Sequence, residues 1–259
     1  IVGLVTIFAL YIPVYKRYSK QAAVFTVMLY IGSLTPHFYF KSGIIDPLFN
    51  LFIYLGVLQL VKSVEKPSHR TFFLSGIFLG LAVVTKGPVA LLLVGLAGLF
   101  YQLVYRVHFY SFKNLLMLSL GLFSVLGLVF GFQVYENGFW FLQEFTKYQI
   151  DLFREPIASH GQPFYYHFVV LLIGCFPLFI LAFGQLTKRT STSGDVTFLR
   201  WMKVLFWVVL IIFSMVTTKI VHYSSMCYIP LAIVGGVWMS NFKRVGVGVR
   251  IAFTLVGLL

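Results

Sequence analysis

The sequence predicts an all-α membrane protein, a polytopic bundle of transmembrane helices with one large loop outside the bilayer. Hydrophobic residues make up 59% of the 259-residue chain and charged residues only 10%, and the mean hydropathy is +0.92. A soluble domain of this size could not bury so much apolar surface. The apolar residues also form runs of about 20, the length that crosses a bilayer as a helix. The cations lie in short clusters between these runs.

About ten spans can be marked along the chain, joined by short polar links and one long loop. They are predicted at 1–14, 21–40, 46–63, 71–84, 88–105, 114–133, 164–186, 200–217, 220–240 and from 248 onward. The fourth, of about 14 residues, would be only about 21 Å long, too short to cross an untilted core of about 30 Å. Lys86, which follows it, is therefore expected in a recess below the outer surface. Gly87 is expected to supply the turn and Pro88 to lie in the first turn of the next helix.

The cations divide unequally between the two sides of this layout. Fifteen of the 20 lie on one side with only two acids, whereas five acids accompany the five cations on the other side. Because cytoplasmic loops carry an excess of Lys and Arg, the basic side is predicted to be cytoplasmic. The loop 134–163, which holds four of the seven acids and is expected to contain short helices, is predicted to face outward. This clustering excludes nucleic acid as the reason for the net charge of +13.

The ends of the chain and its cysteines complete the organisation. The sequence begins at Ile1 and stops at Leu259 within apolar runs, so it is interpreted as a single transmembrane domain over 1–259 truncated at both ends. Cys175 and Cys227 also fall within apolar runs and are interpreted as small core residues rather than metal ligands or a disulfide.

Charged residues at the mouth of a membrane bundle are costly and are functional candidates by default. Asp46 is either a helix N-cap alone or a cap that also lines a site. Lys86 is either a lysine that reaches the surface or a cation for a phosphate group. Lys219, His222 and Tyr223 share one face at helical spacing. They form either an interfacial anchor or the lining of a phosphate pocket.

Three further candidates stand where the long loop meets the seventh span, namely His160, Tyr165 and Tyr166. Their alternatives are a surface histidine and ordinary aromatic-belt tyrosines. The sequence has no His-Glu-x-x-His zinc spacing and no phosphate-cradling Gly-x-x-x-x-Gly-Lys. Nucleoside-triphosphate chemistry is therefore not expected. No cofactor is certain, and a divalent metal is left open.

The order of these motifs resembles that of a family of membrane glycosyltransferases. The matching pieces are Ile45-Asp46-Pro47, Leu81 through Pro88, Phe139-Trp140, His160 through Tyr166, Gly174 through Pro177 and Lys219 through Pro230. In this order they are similar to the superfamily of aminoarabinose lipid A transferases and dolichyl-phosphate-mannose protein mannosyltransferases. The resemblance covers nearly the whole chain.

This resemblance implies an inverting transferase in the inner (plasma) membrane of a bacterium. A glycosyl group would pass from a polyprenyl-phosphate-linked donor to a glycolipid or protein acceptor on the outer (periplasmic) face. By the same resemblance, Lys86, Lys219 or Arg154 would bind the donor phosphate, because cations stabilise the negative charge of a leaving group. The remaining candidates would line the sugar or acceptor pocket: Asp46, His160, Tyr165, Tyr166, His222 and Tyr223.

Two departures from the family accompany the resemblance. The family's general base is an acid in the first outer loop, which would precede Ile1, so the sequence does not name the base. Relatives often carry an arginine where the loop has Asp151, and here Arg154 follows one helical turn later.

Two other functional classes remain as alternatives. A transporter or flippase of a lipid-linked saccharide precursor predicts polar groups near the bilayer midplane and broken helices in two corresponding halves. A membrane scaffold whose loop binds a partner would need no recessed lysine at Lys86.

Overall fold

A computed structural model describes residues 1–154, 162–188, 196–216 and 219–241 of the chain. Within these ranges every regular element is a helix, which confirms the predicted all-α class. The α-helices are α1 Val2–Arg17, α2 Lys20–Ile31, α3 Leu34–Lys41, α4 Asp46–Glu65, α5 His69–Lys86, α6 Val89–Tyr105, α7 Phe112–Asn137, α8 Trp140–Arg154, α9 Tyr166–Gly174, α10 Leu178–Leu186, α11 Val196–Met215 and α12 Tyr228–Ser240. A 3-10 helix, Val221–Cys227, precedes α12.

Three of the described helices, α4, α7 and α11, are long and apolar enough to cross a membrane. The bent pair of α2 and α3 makes a fourth if it is one span. The count of about ten spans therefore stays a prediction. The span expected from residue 248 onward lies outside the described residues.

Two of the predicted spans are each divided into two helices. The span predicted at 21–40 bends by 67° between α2 and α3, at Gly32 and Ser33. Gly/Ser pairs are a recognised cause of sharp helix kinks. The span predicted at 164–186 breaks between α9 and α10, at residues 175–177. Pro177 has no backbone N–H, and a proline disfavours helical geometry in the residue before it, so a continuous helix is interrupted there.

Side-chain hydroxyls donate hydrogen bonds to backbone carbonyl oxygens at these breaks. Ser33 Oγ donates to the carbonyl oxygen of Leu29 at 2.7 Å. Thr35 Oγ1 donates to the carbonyl oxygen of Gly174, the last residue of α9, at 2.8 Å. A Cβ on Gly174 would lie 2.6 Å from Thr35 Cγ2, so glycine is what permits this approach. The hydrogen bond therefore ties the end of α9 to the first turn of α3.

The fourth predicted span is longer than the sequence indicated. It was expected over 71–84, but α5 runs from His69 to Lys86 and contains 18 residues. A helix of this length rises about 27 Å at 1.5 Å per residue. The helix includes His69 and Arg70 before the predicted span and Thr85 and Lys86 after it. The length of an apolar run does not determine where the backbone hydrogen bonds of a helix begin and end. A short span thus gives no reason to place Lys86 in a recess.

Packing within the chain divides it into two compact units. The first consists of Ile1–Pro47 and Pro163–Leu259, and the second of Leu48–Gln162. The assignment of 1–259 to one domain stays a prediction.

The first unit is built around α12. All ten residues from Tyr228 to Val237 are buried. A helix that is apolar on every side is expected in an interior. It packs against α2, α10 and α11. Cys175 and Cys227 are fully buried free thiols in this unit, as predicted.

The second unit depends on close contact between α5 and α7. A Cβ at Gly76 would overlap the carbonyl oxygen of Leu118, and one at Gly121 would overlap that of Phe73. Gly76 and Gly80 form a Gly-x-x-x-Gly pattern, which lets two helix backbones approach each other. The helices α4 and α5 are joined by Ser75 Oγ, which donates to the carbonyl oxygen of Gly56 at 3.0 Å.

The long loop contains the amphipathic helix α8, as the prediction of short helices required. Its aromatic residue Phe145 packs against Phe130 of α7, with ring centroids 5.1 Å apart. The opposite side carries Glu144, Lys147 and Asp151, whose spacing places them on one helical face. The helix thus joins an apolar contact to a charged surface.

Replacing Gly121 by alanine is expected to destabilise the protein. The new methyl group meets the backbone of Phe73, and overpacking of this kind costs about 1–3 kcal/mol. The matched control is Gly127→Ala on the same helix, where a Cβ meets nothing within 4 Å. There alanine should leave stability unchanged or raise it by up to about 1 kcal/mol. Thermal unfolding in detergent measures both, and equal shifts would contradict the close packing.

Thr35→Val is expected to lower the free energy of unfolding by about 1–3 kcal/mol, because the Gly174 carbonyl loses its donor while the side-chain shape is kept. Thr6→Val is the control. Thr6 is also buried, but its hydroxyl bonds only the carbonyl of Val2 in its own helix. Denaturant unfolding of the two variants should therefore differ; if both behave like the unmodified protein, the Thr35 bond does not stabilise the break.

Candidate functional site

Lys86 lies at the end of α5, and its position is set by a glycine turn. Gly87 has φ +94°, a conformation that side-chain-bearing residues rarely adopt, and its N–H donates to the carbonyl of Val83 at 2.7 Å. The turn predicted at Gly87 is confirmed. Pro88 is the N-cap of α6 rather than a residue of its first turn. The ammonium of Lys86 is 5.7 Å from the centroid of the Phe49 ring, and the side chain is half-buried.

Asp46 is the first residue of α4 and is only 3% exposed. Its position at the helix N-terminus suits a carboxylate, because the partial positive charge of the helix dipole lies there. Tyr39, at the end of α3, is within electrostatic reach of Asp46. The ring of Tyr39 lies 5.8 Å from that of Tyr228. Neither tyrosine hydroxyl makes a hydrogen bond of good geometry within the described residues.

The segment around Lys219 differs from its predicted geometry. Residues 221–227 form a 3-10 helix, and Lys219 and Ile220 precede it with extended backbone at Ile220. The shared α-helical face proposed for Lys219, His222 and Tyr223 is therefore absent, because an i, i+3, i+4 face requires an α-helix over all five residues. Lys219 is instead 7% exposed, whereas His222 and Tyr223 are half-buried with ring centroids 5.3 Å apart.

The burial of Lys219 favours the lining of a pocket over an interfacial anchor. An interfacial anchor lysine extends its side chain into the water or headgroup layer. Only 7% of the Lys219 residue is exposed, so most of it is enclosed by the protein.

The structure adds His167 to the candidate site residues around Lys219. The sequence reasoning missed this residue. It is fully buried in the first turn of α9. Its Nδ1 lies 3.1 Å from Ser224 Oγ, which is also fully buried. Lys219 is within electrostatic reach of the imidazole. The available signal was a histidine within a predicted span, because ionisable residues in membrane segments are functional candidates.

Tyr165 and Tyr166 are placed at the start of α9. Tyr165 is the N-cap and is 62% exposed. Tyr166 is half-buried, and its ring centroid is 5.2 Å from that of His167. The structure therefore brings Tyr166, but not Tyr165, into contact with the buried histidine.

The other predicted site residues lie outside what the structure describes. His160 falls in the range 155–161, and Arg154 is described only as the last residue of α8, without its side chain. As for metals, the described ranges contain no group of three or more His, Cys, Asp or Glu side chains that could hold an ion.

The first half of the chain matches a known protein family. Residues 1–130 match the family model of the dolichyl-phosphate-mannose-protein mannosyltransferases. The chain belongs to this family. The matched half contains Asp46 and Lys86, and the family membership confirms the resemblance inferred from the motifs.

Curated relatives extend the similarity over most of the chain. The undecaprenyl phosphate-alpha-4-amino-4-deoxy-L-arabinose arabinosyl transferase of Edwardsiella ictaluri is 29% identical over 225 residues, covering 83% of this chain and 40% of its own length. The protein of the same name from Pectobacterium carotovorum is 26% identical, covering 86% of this chain and 41% of its own. The chain thus spans about two fifths of the length of these relatives.

Solved structures show the same fold. The crystal structure of ArnT from Cupriavidus metallidurans bound to undecaprenyl phosphate has a TM-score of 0.71, with 17% identity over 93% of this chain and 45% of that one. The apo structure of the same protein has a TM-score of 0.72, with 18% identity.

Cysteine labelling should separate the buried from the exposed candidates. Tyr165→Cys is expected to react with a hydrophilic maleimide at least about tenfold faster than Lys219→Cys, because burial limits reagent access to a thiol. The two native cysteines are fully buried and give a low background. Comparable rates at the two positions would show that residue 219 is not in the interior.

Proposed function

We propose that this protein transfers a glycosyl group from a polyprenyl-phosphate-linked donor to a glycolipid or protein acceptor. We further propose that the reaction takes place on the outer (periplasmic) face of a bacterial inner membrane, with inversion at the anomeric carbon. The observation that carries the proposal is Lys86, a cation at a glycine turn that ends an apolar helix within the family-matched residues. The named activity of the relatives makes an undecaprenyl-phosphate-linked aminoarabinose the first donor to test.

The chemistry requires a cation where the donor phosphate leaves. The acceptor oxygen forms a bond to the anomeric carbon from one face while the bond from that carbon to the phosphate oxygen breaks on the other. The electron pair stays on the lipid phosphate, which gains one negative charge, and the acceptor loses its proton to a base. Cations held in a low-dielectric site stabilise such developing charge. We propose Lys86, in the second unit, and Lys219, in the first unit, for this role. Arg154 is a third candidate.

The sugar or acceptor pocket is proposed to include the remaining candidates. Asp46 is buried, and Tyr39 is within electrostatic reach of it. The hydroxyls of Tyr39 and of its neighbour Tyr228 make no hydrogen bond of good geometry within the described residues. Hydroxyls and carboxylates are suited to the hydroxyl and amino groups of a sugar. The loop residue His160, the tyrosines Tyr165 and Tyr166, and the pair His222 and Tyr223 complete the proposed lining.

The transporter alternative predicted broken helices in two corresponding halves of the bundle. Two broken spans are present, but both lie in the first unit. The described helices of the second unit, α4 to α8, contain no comparable break. This arrangement favours the transferase.

Lys86→Ala in the full-length protein is expected to lower kcat by about 10²–10³-fold, the usual effect of removing one group that stabilises developing negative charge. Lys86→Arg should retain part of the rate because the charge is kept. Lys41→Ala, at an exposed lysine ending α3, is the matched control and should leave the rate unchanged.

The assay uses proteoliposomes with undecaprenyl phosphate-α-4-amino-4-deoxy-L-arabinose and lipid A, and product is measured by mass spectrometry. Unchanged turnover in Lys86→Ala would show that Lys86 does not stabilise the leaving phosphate. Movement of the labelled donor across the bilayer without any glycosylated product would favour the transporter instead.

A further inference from the structure

His167 has one ring nitrogen whose bonding is not satisfied. The side chain is fully buried, and Nδ1 is occupied by Ser224 Oγ at 3.1 Å. Nε2, on the other edge of the ring, has no hydrogen-bond partner in the described part of the chain. Buried polar atoms in proteins are nearly always hydrogen-bonded, so an exception calls for a missing partner.

Lys219 is the cation within electrostatic reach of this histidine. Only 7% of the lysine residue is exposed. Lys203 of α11 shows how the same unit satisfies a buried lysine, because its Nζ donates to the carbonyl oxygen of Lys188 at 2.8 Å. Isolated buried charges are expensive and are normally paired. A buried ring nitrogen without a partner, with a lysine within electrostatic reach of the ring, thus forms a site that suits an anion.

We propose that His167 is a phosphate-binding residue, and that its Nε2–H and the Lys219 ammonium together bind the phosphate of the lipid donor. This inference rests on the proposed function and names a residue that the motifs did not indicate. The ligand class is a polyprenyl phosphate, because a buried site among apolar helices accepts an anion that carries its own hydrocarbon chain. The phosphate oxygens accept hydrogen bonds from both groups.

Ser224 is the positioning residue for this interaction. Its hydroxyl has two acceptors within reach, His167 Nδ1 at 3.1 Å and the carbonyl oxygen of Val221 at 3.5 Å. When the hydroxyl donates to Nδ1, the nearer acceptor, the neutral imidazole carries its proton on Nε2 and can donate there. The rings of Tyr166 and Phe213 hold the imidazole plane, with centroids 5.2 Å and 6.4 Å from that of His167. The ring is therefore oriented before any ligand arrives, which lowers the entropic cost of binding.

Two substitutions of His167 separate the ligand role from a structural one. In His167→Asn the amide can replace Nδ1 toward Ser224 but has no group at the position of Nε2. In His167→Gln the amide can reach the position of Nε2 but not that of Nδ1. Removing a hydrogen bond to a charged group lowers affinity by about tenfold or more. His167→Asn is expected to bind undecaprenyl phosphate about tenfold more weakly, whereas His167→Gln should stay within about threefold of the unmodified chain.

The measurement is the Kd of the full-length protein in detergent for undecaprenyl phosphate and, in parallel, for undecaprenol, which has no phosphate. Only the affinity for the phosphate form should fall in His167→Asn. Lys203→Met is the control for loss of a buried lysine and should leave both affinities unchanged.

Each other outcome overturns the inference. Equal affinity of His167→Asn and the unmodified chain for undecaprenyl phosphate removes His167 from the site while leaving the proposed function in place. An equal loss for undecaprenol assigns His167 a structural role only. If His167→Asn does not fold, Lys219→Met takes its place, with Lys203→Met as its matched control. Equal affinity of Lys219→Met and the unmodified chain for undecaprenyl phosphate contradicts the inference. Failure of the unmodified chain to bind undecaprenyl phosphate overturns the proposed function as well.

Discussion

The hydrogen bond from Thr35 to the carbonyl of Gly174 joins the two broken spans of the first unit. In an apolar environment, a carbonyl released by a helix break must find another donor, since no water is there to supply one. Two of the predicted spans are broken. Thr35, in the first turn after the break between α2 and α3, donates to the carbonyl at the end of α9, where the other break begins. Gly174 has no side chain to prevent this contact. The consequence is that α9, which carries His167, is held against α3, which carries Tyr39.

The same constraint gives the buried polar groups their meaning. A buried lysine can be satisfied within the fold, as Lys203 shows: its ammonium donates a hydrogen bond to the backbone carbonyl of Lys188. The Nε2 atom of His167 is not satisfied in this way by any residue that the structure describes, and Lys219 lies within electrostatic reach of its ring. Such groups cost stability and are kept when they serve a ligand. The donor phosphate, which becomes more negative during transfer, is a ligand that would use both.

The family match and the fold match agree, but they cover different extents of the chain. The family model covers residues 1–130, whereas the fold of ArnT extends over 93% of the chain at 17% identity. Lys86 lies within residues 1–130, whereas Lys219 and His167 lie beyond them. The proposed phosphate role of Lys86 therefore starts from a family motif, while that proposed for His167 starts from burial and hydrogen bonding alone.

The sequence by itself determined the helical class, the membrane character, the family and the glycine turn after Lys86. These properties depend on composition, on the length of apolar runs and on short motifs, all of which are local. It misjudged the extent of α5, the two broken spans and the geometry around Lys219, because apolar runs do not show where backbone hydrogen bonds stop or change pattern. Only the tertiary structure decided that Lys219 is buried and that His167 meets Ser224, 57 residues away in the chain. Burial and pairing between distant segments arise when helices pack, and no local pattern records them.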